Sequence, residues 1–215
     1  MTKLTLTAAI VSALLAAPAA WAQSAAAGEK KAAMCIGCHG IPGYQASFPE
    51  VHKVPMISGQ NGKYLAAALA AYKKGERKHP TMQAIAKSLS DQDMADLAAF
   101  YEGQAKVEPV AAKPATEPSP QVAELLKKAN CASCHGENFS KPIDPSYPKI
   151  AGQHADYLYI ALKAYQTDKN ASIGRGNAIM AGMAKQYSLA ELKQMAQYIG
   201  SLDGELRTVP QSRFR

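Results

Sequence analysis

The sequence predicts an all-α protein made of two tandem domains of similar size. Apolar side chains recur at helical spacing along much of the chain, one set of short motifs occurs twice in the same order, and a proline-rich segment separates the two copies. A chain of 215 residues has room for two small domains. No segment gives a convincing strand pattern.

The first 22 residues differ from the rest of the chain. Lys3 is followed by an almost uncharged apolar run, and Ala20-Trp21-Ala22 has the A-x-A form of a cleavage site. The run is too short to cross a bilayer. We therefore expect residues 1–22 to be a cleaved secretory signal peptide and the mature protein, from Gln23, to act outside the cytoplasm.

The four cysteines occur in two C-x-x-C-H motifs, at residues 35–39 and 131–135. Two thiols at this spacing can form thioethers with the two vinyl groups of one porphyrin, and the adjacent histidine can then bind the iron. The motifs predict two covalently bound haem c groups. The residues that would hold them are, in the two copies, Cys35, Cys38 and His39, and Cys131, Cys134 and His135.

Three other uses of the cysteines compete with haem attachment. Disulfides are plausible in an exported protein but do not explain the histidine after each pair. A thioredoxin-like redox site needs a βαβ setting that neither pair has. A zinc site could use both pairs, but they stand 96 residues apart across the proline-rich segment.

An internal comparison of the two copies selects a second axial ligand. Thioether sulfur is the usual partner of histidine in c-type electron carriers. Of the seven methionines that remain after Met1, only Met82 is matched by a methionine, Met180, when the copies are aligned. We expect both to ligate iron from short loop-like segments. Met183, three residues after Met180, is the rival ligand.

None of the three other histidines is matched by a histidine in the opposite copy. His52, His79 and His154 are expected to be solvated or locally hydrogen-bonded surface residues.

Three helices are expected in each copy. One precedes each cysteine motif, one follows each Gly-Gln pair, and one begins at a capping box of the form Ser-x-x-Asp/Glu. The expected ranges are 28–34, 61–74 and a helix starting at Ser90 in the first copy, and 121–130, 154–167 and a helix starting at Ser188 in the second.

The charge balance and the segment between the two copies give two further indications. Without Lys3 the chain has 23 basic and 17 acidic side chains, a net charge of +6, but no basic stripe interleaved with aromatics, so nucleic-acid binding is not indicated. Residues 104–120 contain four prolines and form a semi-rigid linker. The expected domains are therefore 23–103 and 121–215.

The ordered motifs resemble those of the cytochrome c4 family of di-haem cytochromes c from bacterial periplasms. The shared motifs, within residues 28–201, are C-x-x-C-H, P-x-(I/L)-x-G-Q, a Tyr-Leu helix, a ligand methionine and S-x-x-(D/E). The resemblance implies two cytochrome c folds about a pseudo-twofold axis. It also implies iron ligation by His39 with Met82 and by His135 with Met180, and a proline carbonyl, from Pro55 or Pro148, on each histidine ring.

Two features depart from the family pattern. The linker is longer and richer in proline than the family leads us to expect, which argues against tight packing of the domains. Residues 43–54 form an unusual stretch in the first copy.

The resemblance implies a non-enzymatic periplasmic electron carrier, soluble or peripherally associated with the membrane. It would pass single electrons between respiratory complexes, from a donor such as a bc1-type complex towards a terminal oxidase, without a small-molecule substrate. Two alternatives remain open: an electron-accepting cytochrome subunit of a periplasmic dehydrogenase, and a di-haem peroxidase-type enzyme with one open iron face.

Overall fold

A computed structural model describes residues 23–210 of the chain, apart from residues 107 and 109. The predicted signal peptide lies outside the described residues. About 50% of the described residues are helical, in two halves. The elements of the first half are α1 (Ala25–Lys31), α2 (Ala33–His39), β1 (Gln45–Ala46), β2 (His52–Lys53), α3 (Gly62–Lys74), β3 (Arg77–Lys78), α4 (Pro80–Lys87) and α5 (Asp91–Glu102).

The second half repeats most of this order. Its elements are α6 (Pro120–Ala129), α7 (Ala132–His135), α8 (Ala155–Gln166), β4 (Gly174–Arg175), α9 (Ala178–Ala184) and α10 (Leu189–Ser201). The all-α prediction is therefore confirmed. No helix within the described part of the chain is long and apolar enough to cross a membrane.

Local sequence signals account for several helix ends. Both expected capping boxes are present: Ser90 pairs with Asp93 at the start of α5, and Ser188 pairs with Glu191 at the start of α10. Ser119 caps α6, and Pro120 occupies its first turn, where a missing N–H costs nothing.

The structure corrects several local expectations. The helix expected at residues 28–34 is two short helices, α1 and α2, and the second carries the cysteine motif itself. Met82 and Met180 lie within helices α4 and α9 rather than in loops. Four two-residue strands are present where no strand was expected, because pairs this short leave no periodic pattern in the sequence.

Each half has its own apolar core under its last helix. In the first half, Leu97 and Met94 of α5 are almost fully buried against Ile36 and Leu65. Gly28 allows α1 to cross α5 closely, since a Cβ at this position would lie 2.1 Å from the Asp96 carbonyl oxygen. In the second half, Leu192 and Met195 of α10 take the equivalent buried positions.

The two halves pack directly on each other, although the long linker had put tight packing in doubt. Strand β3 of the first half pairs antiparallel with β4 of the second, with Arg77 opposite Arg175. The linker also runs back along the second half, where Asn138 donates to the Ala111 carbonyl at 2.8 Å. Linker length is therefore a poor guide to packing here, because these contacts hold the linker against the second half.

The unusual stretch at residues 43–54 is a hairpin that reaches the second half. Strands β1 and β2 pair antiparallel, and the backbone N–H of Lys53 donates to Asp156 of α8 at 2.9 Å. His52, expected on the surface, is 5% exposed, and its ring stacks on Tyr157 at 6.4 Å. It is buried because the hairpin folds its ring against the opposite half.

Candidate functional site

The two motif histidines are held in the same way in both halves. Nδ1 of His39 lies 2.8 Å from the Pro55 carbonyl oxygen, and Nδ1 of His135 lies 2.9 Å from that of Pro148. An N–H on Nδ1 donates to the carbonyl and leaves Nε2 as the nitrogen that can bind iron. These two contacts are those that the sequence resemblance implied for the prolines.

Both histidine rings have a lowered pKa, which favours their neutral form. Burial lowers the pKa of His39, and the charge of Arg77 lowers it further although the hydrogen bond to Pro55 opposes the shift. Burial likewise lowers the pKa of His135. Neutral imidazole is the form that coordinates a metal, so no proton has to be removed at neutral pH.

The cysteine thiols lie on the same short helices as the histidines or immediately before them. All four are free and half-buried. Burial raises the pKa of Cys35, and raises that of Cys131 to about 11, so neither is the ready thiolate of a redox-active pair. Among the residues that the structure describes, no three His, Cys, Asp or Glu side chains gather as a metal site. The two pairs therefore do not form one zinc cluster.

The predicted methionine ligands sit at matching places in the two halves. Met82 and Met180 are both half-buried, and each is the third residue of its helix. Their backbone N–H groups donate to capping side chains three residues earlier, His79 Nδ1 at 3.5 Å and Asn177 Oδ1 at 3.0 Å.

The capping contact also explains His79. Its Nδ1 accepts from Met82, and its Nε2 lies 3.3 Å from the Phe48 carbonyl oxygen. His79 is therefore a local hydrogen-bonding residue, as expected from its lack of a histidine partner in the repeat.

Met183 has a different environment from Met180. It packs against the core of the second half beside Leu192 and Met195. Met180 is not part of that core cluster. This difference favours Met180 as the ligand, but the pairing of either methionine with iron stays a prediction.

A cluster of arginine and tyrosine side chains fills the boundary between the halves. Arg77 donates to the Tyr64 hydroxyl at 3.0 Å and to the Tyr157 hydroxyl at 2.8 Å, and Arg175 donates to Tyr157 at 3.0 Å. Each guanidinium also lies over a tyrosine of its own half, Arg77 over Tyr72 at 4.6 Å and Arg175 over Tyr165 at 5.4 Å.

This cluster has an excess of donors and positive charge. In the described part of the chain no carboxylate forms an ion pair with either arginine, and Nε of Arg77 is buried without a partner. Burial raises the pKa of Tyr157, but the charges and hydrogen bonds of Arg175 and Arg77 outweigh it and lower the pKa to about 8. Such a cluster suits carboxylate groups, and a haem carries two of them as propionates.

The two arginines were not singled out from the sequence. The signal was nevertheless present, since each stands five residues before its methionine. Extending the internal comparison upstream from Met82 and Met180 would have paired them.

Comparisons with known proteins agree with the geometry. The family model "Cytochrome c" matches residues 25–103 and 121–203. The chain is 30% identical over 194 residues to cytochrome c4 of Azotobacter vinelandii, covering 84% of this chain and 90% of that protein. It is 28% identical over 200 residues to a thiosulfate dehydrogenase electron acceptor of Thiomonas intermedia, covering 86% and 84%.

A solved structure has the same fold. The crystal structure of reduced recombinant cytochrome c4 from Pseudomonas stutzeri superposes with a TM-score of 0.63 at 27% identity, and the match covers 85% of this chain and all of that one. Together with the two C-x-x-C-H motifs, these matches establish two covalently bound haem c groups. Two features are consistent with that cofactor. The histidines hold their prolyl contacts through Nδ1 and so can bind iron through Nε2, and the arginine cluster has no carboxylate ion-pair partner among the described residues.

Proposed function

Because this chain belongs to the cytochrome c4 family of di-haem electron-transfer proteins, we propose that it is a periplasmic carrier of single electrons between respiratory complexes. Its donor would be a complex of the bc1 type and its acceptor a terminal oxidase. The proposal includes residues 1–22 as an export signal.

One observation carries this proposal: each half contains the same complete set of candidate iron ligands. His39 and His135 are oriented by prolyl carbonyls, and Met82 and Met180 occupy the same capped position of matching helices. An iron closed on both faces exchanges electrons and binds no substrate. A carrier needs this closure at both irons.

The chain supplies orientation, burial and charge, and the haem iron supplies the one-electron couple. The prolyl carbonyls fix the tautomer and the angle of each imidazole. The thioether ligands would favour the reduced iron and raise the potential. The boundary arginines Arg77 and Arg175 would neutralise haem carboxylates where the two halves meet.

Visible spectroscopy during a redox titration tests the proposal. We expect the oxidised protein to show the weak far-red absorption of methionine-ligated iron with an intensity that corresponds to two haems, and we expect no rapid reaction with cyanide or peroxide. A high-spin signal, or fast cyanide binding at one haem, would instead indicate a peroxidase-type site with one open face.

A second candidate function is an electron-accepting subunit of a periplasmic dehydrogenase. The match to a protein named thiosulfate dehydrogenase electron acceptor favours it. Stopped-flow reduction by a thiosulfate dehydrogenase would test it against reduction by a bc1-type complex. Faster reduction by the dehydrogenase at equal concentration would select this alternative.

A further inference from the structure

Two buried glutamines make crossed contacts between the halves. Gln153 of the second half is 3% exposed and binds the backbone of Met56 in the first half. Its Oε1 accepts the Met56 N–H at 3.0 Å, and its Nε2 donates to the Met56 carbonyl at 2.8 Å. The side-chain amide thus pairs with both polar groups of one residue.

Gln60 of the first half repeats the contact in the opposite direction. It is 4% exposed. Its Oε1 accepts the Lys149 N–H at 2.8 Å, and its Nε2 donates to the Lys149 carbonyl at 2.9 Å. Gln60 and Gln153 close the same repeated motif, so the two contacts are related by the pseudo-twofold arrangement of the halves.

The orientation of each amide is fixed by a further contact. The oxygen of Gln60 also accepts from the Asn61 N–H, and that of Gln153 from the His154 N–H, both at 3.0 Å. With two N–H donors on one side, the oxygen and nitrogen of each glutamine cannot be exchanged without losing hydrogen bonds.

The residues that the glutamines bind directly follow the two prolines. The Pro55–Met56 peptide unit therefore has two polar contacts: its carbonyl oxygen lies on His39 Nδ1, and its N–H donates to Gln153. In the other half the Pro148–Lys149 unit lies in the same way between His135 and Gln60. A chain of hydrogen bonds runs from each glutamine through one peptide to the histidine of the opposite half.

We infer that Gln153 and Gln60 are positioning residues that tune the axial histidine of the opposite half, Gln153 acting on His39 and Gln60 on His135. An acceptor on a peptide N–H polarises that peptide and strengthens its carbonyl as an acceptor. A stronger hydrogen bond on Nδ1 makes the imidazole a better electron donor to a metal on Nε2. The inference rests on the proposed ligation by the two histidines.

The sign of the effect follows from this chain of contacts. A more basic imidazole stabilises the oxidised iron, so loss of the glutamine oxygen should raise the potential of the haem in the opposite half. Simple loosening of the boundary would have the reverse effect, because water entering beside a haem stabilises the more highly charged oxidised iron. The two explanations therefore predict opposite shifts.

The test uses Gln153→Met and Gln60→Met in the matured full-length protein. Both changes keep an unbranched side chain of similar length and remove the amide. We expect Gln153→Met to increase the equilibrium constant for reduction of the first-half haem by up to about tenfold. For one electron this corresponds to a midpoint potential that is higher by about 59 mV. Gln60→Met should do the same to the second-half haem.

The controls separate crossed tuning from other effects. Potentials are assigned to each haem by comparison with single Met82 and Met180 variants. Gln104→Met removes a different, partly buried contact, the 2.7 Å hydrogen bond that Gln104 Oε1 accepts from Ser58 Oγ. This variant should leave both potentials unchanged. Gln153→Glu and Gln60→Glu retain the shape of the side chain if the methionine variants fail to mature.

Each glutamate variant should make the potential of the opposite haem alone depend on pH, since an ionised carboxylate accepts more strongly from the peptide N–H. Shifts confined to the haem of the glutamine's own half, equal shifts in both haems, or lowered potentials in the methionine variants would overturn the inference. The wild-type far-red absorption reports histidine–methionine ligation independently, so failure of the proposed function would be recognised separately.

Discussion

The guanidinium of Arg77 spans the boundary between the halves and donates to the hydroxyl of Tyr157 at 2.8 Å. The same guanidinium holds Tyr64 of its own half at 3.0 Å. Arg175, its counterpart in the repeat, binds Tyr157 but no residue of the first half through a side-chain hydrogen bond among those that the structure describes. The cluster is therefore asymmetric, and within it the hydrogen bond from Arg77 to Tyr157 links the two halves.

Replacing Arg77 by glutamine should change both potential and stability. Loss of a buried positive charge favours oxidised iron, so we expect a lower midpoint potential, by about 60 mV or less for one electron. Loss of the buried hydrogen bonds should reduce the free energy of unfolding by about 1–3 kcal/mol. Redox titration and denaturant unfolding measure the two effects.

Arg207→Gln is the matched control for Arg77→Gln. Arg207 also joins the halves, since its backbone N–H donates to the Ser58 carbonyl at 3.1 Å, and its side chain donates to the Gln104 carbonyl at the start of the linker at 2.6 Å. It does not belong to the arginine–tyrosine cluster. We expect it to affect stability only. Equal potentials in wild type and Arg77→Gln would show that the cluster does not act on the haems.

Single methionine variants should distinguish Met180 from Met183. Met180→Ala should remove the far-red absorption of one haem, lower its potential and allow it to bind cyanide, because thioether ligation stabilises reduced iron. Met183→Ala should keep the spectrum and lower the free energy of unfolding by about 2 kcal/mol through a core cavity. The reverse assignment of spectral loss would make Met183 the ligand.

Met82→Ala provides the corresponding test in the first half. It should alter one haem and leave the other as in wild type. Loss of the far-red absorption from both haems in this variant would show that the halves do not fold independently around their ligands.

Asp96 should make stability depend on pH in the acid range. The Ser24 backbone N–H, Gln92 and Lys31 lower the pKa of this carboxyl. A carboxyl with a lowered folded-state pKa stabilises the fold above its unfolded value, about 4, and the stabilisation is lost as the pH falls through the folded value. Asp96→Asn should therefore lower the melting temperature more at pH 7 than at pH 3.

Asp203→Asn controls for a general change in charge, since Asp203 is exposed. Thermal unfolding followed by circular dichroism at the two pH values gives the comparison. If Asp96→Asn lowered the melting temperature equally at both pH values, the ionised carboxylate would not be the stabilising form.

The packing of the hairpin at residues 43–54 on the second half should depend more on Asp156 than on the exposed ion pair between Glu50 and Lys163. Asp156→Ala removes the acceptor for the Lys53 N–H and should make the hairpin more sensitive to limited proteolysis. Lys163→Gln breaks the 2.8 Å pair with Glu50, in which both side chains are more than 40% exposed, and should cost about 1 kcal/mol or less. Cleavage rates that rank the other way would contradict this assignment.

The sequence predicted the capping boxes and most of the main helices of each half because their signals are local, and the iron ligands that it indicates stay a prediction. A histidine beside two cysteines, or a serine three residues before an acid, has the same meaning wherever it occurs. The repeat added a comparison within the chain itself, and it selected Met82 and Met180 without any second sequence.

The boundary between the halves could not be predicted, because its contacts join residues far apart in sequence. Gln60 and Lys149 are separated by 89 positions, and Gln153 and Met56 by 97. The motif Gly-Gln was visible twice, but a glutamine in a sequence does not show whether its amide reaches its own backbone or that of another domain. The proline-rich linker only put tight packing of the domains in doubt.

The crossed glutamines bind only main-chain atoms of the opposite half. Met56 and Lys149 can therefore differ completely in side chain while the contact stays the same, and Lys149 is free to pair with Glu205. A chain that contained a single such half could use the same contacts with a second copy of itself, in an isologous homodimer about a true twofold axis. Gene duplication and fusion of such a dimer would produce this molecule with its interface already in place.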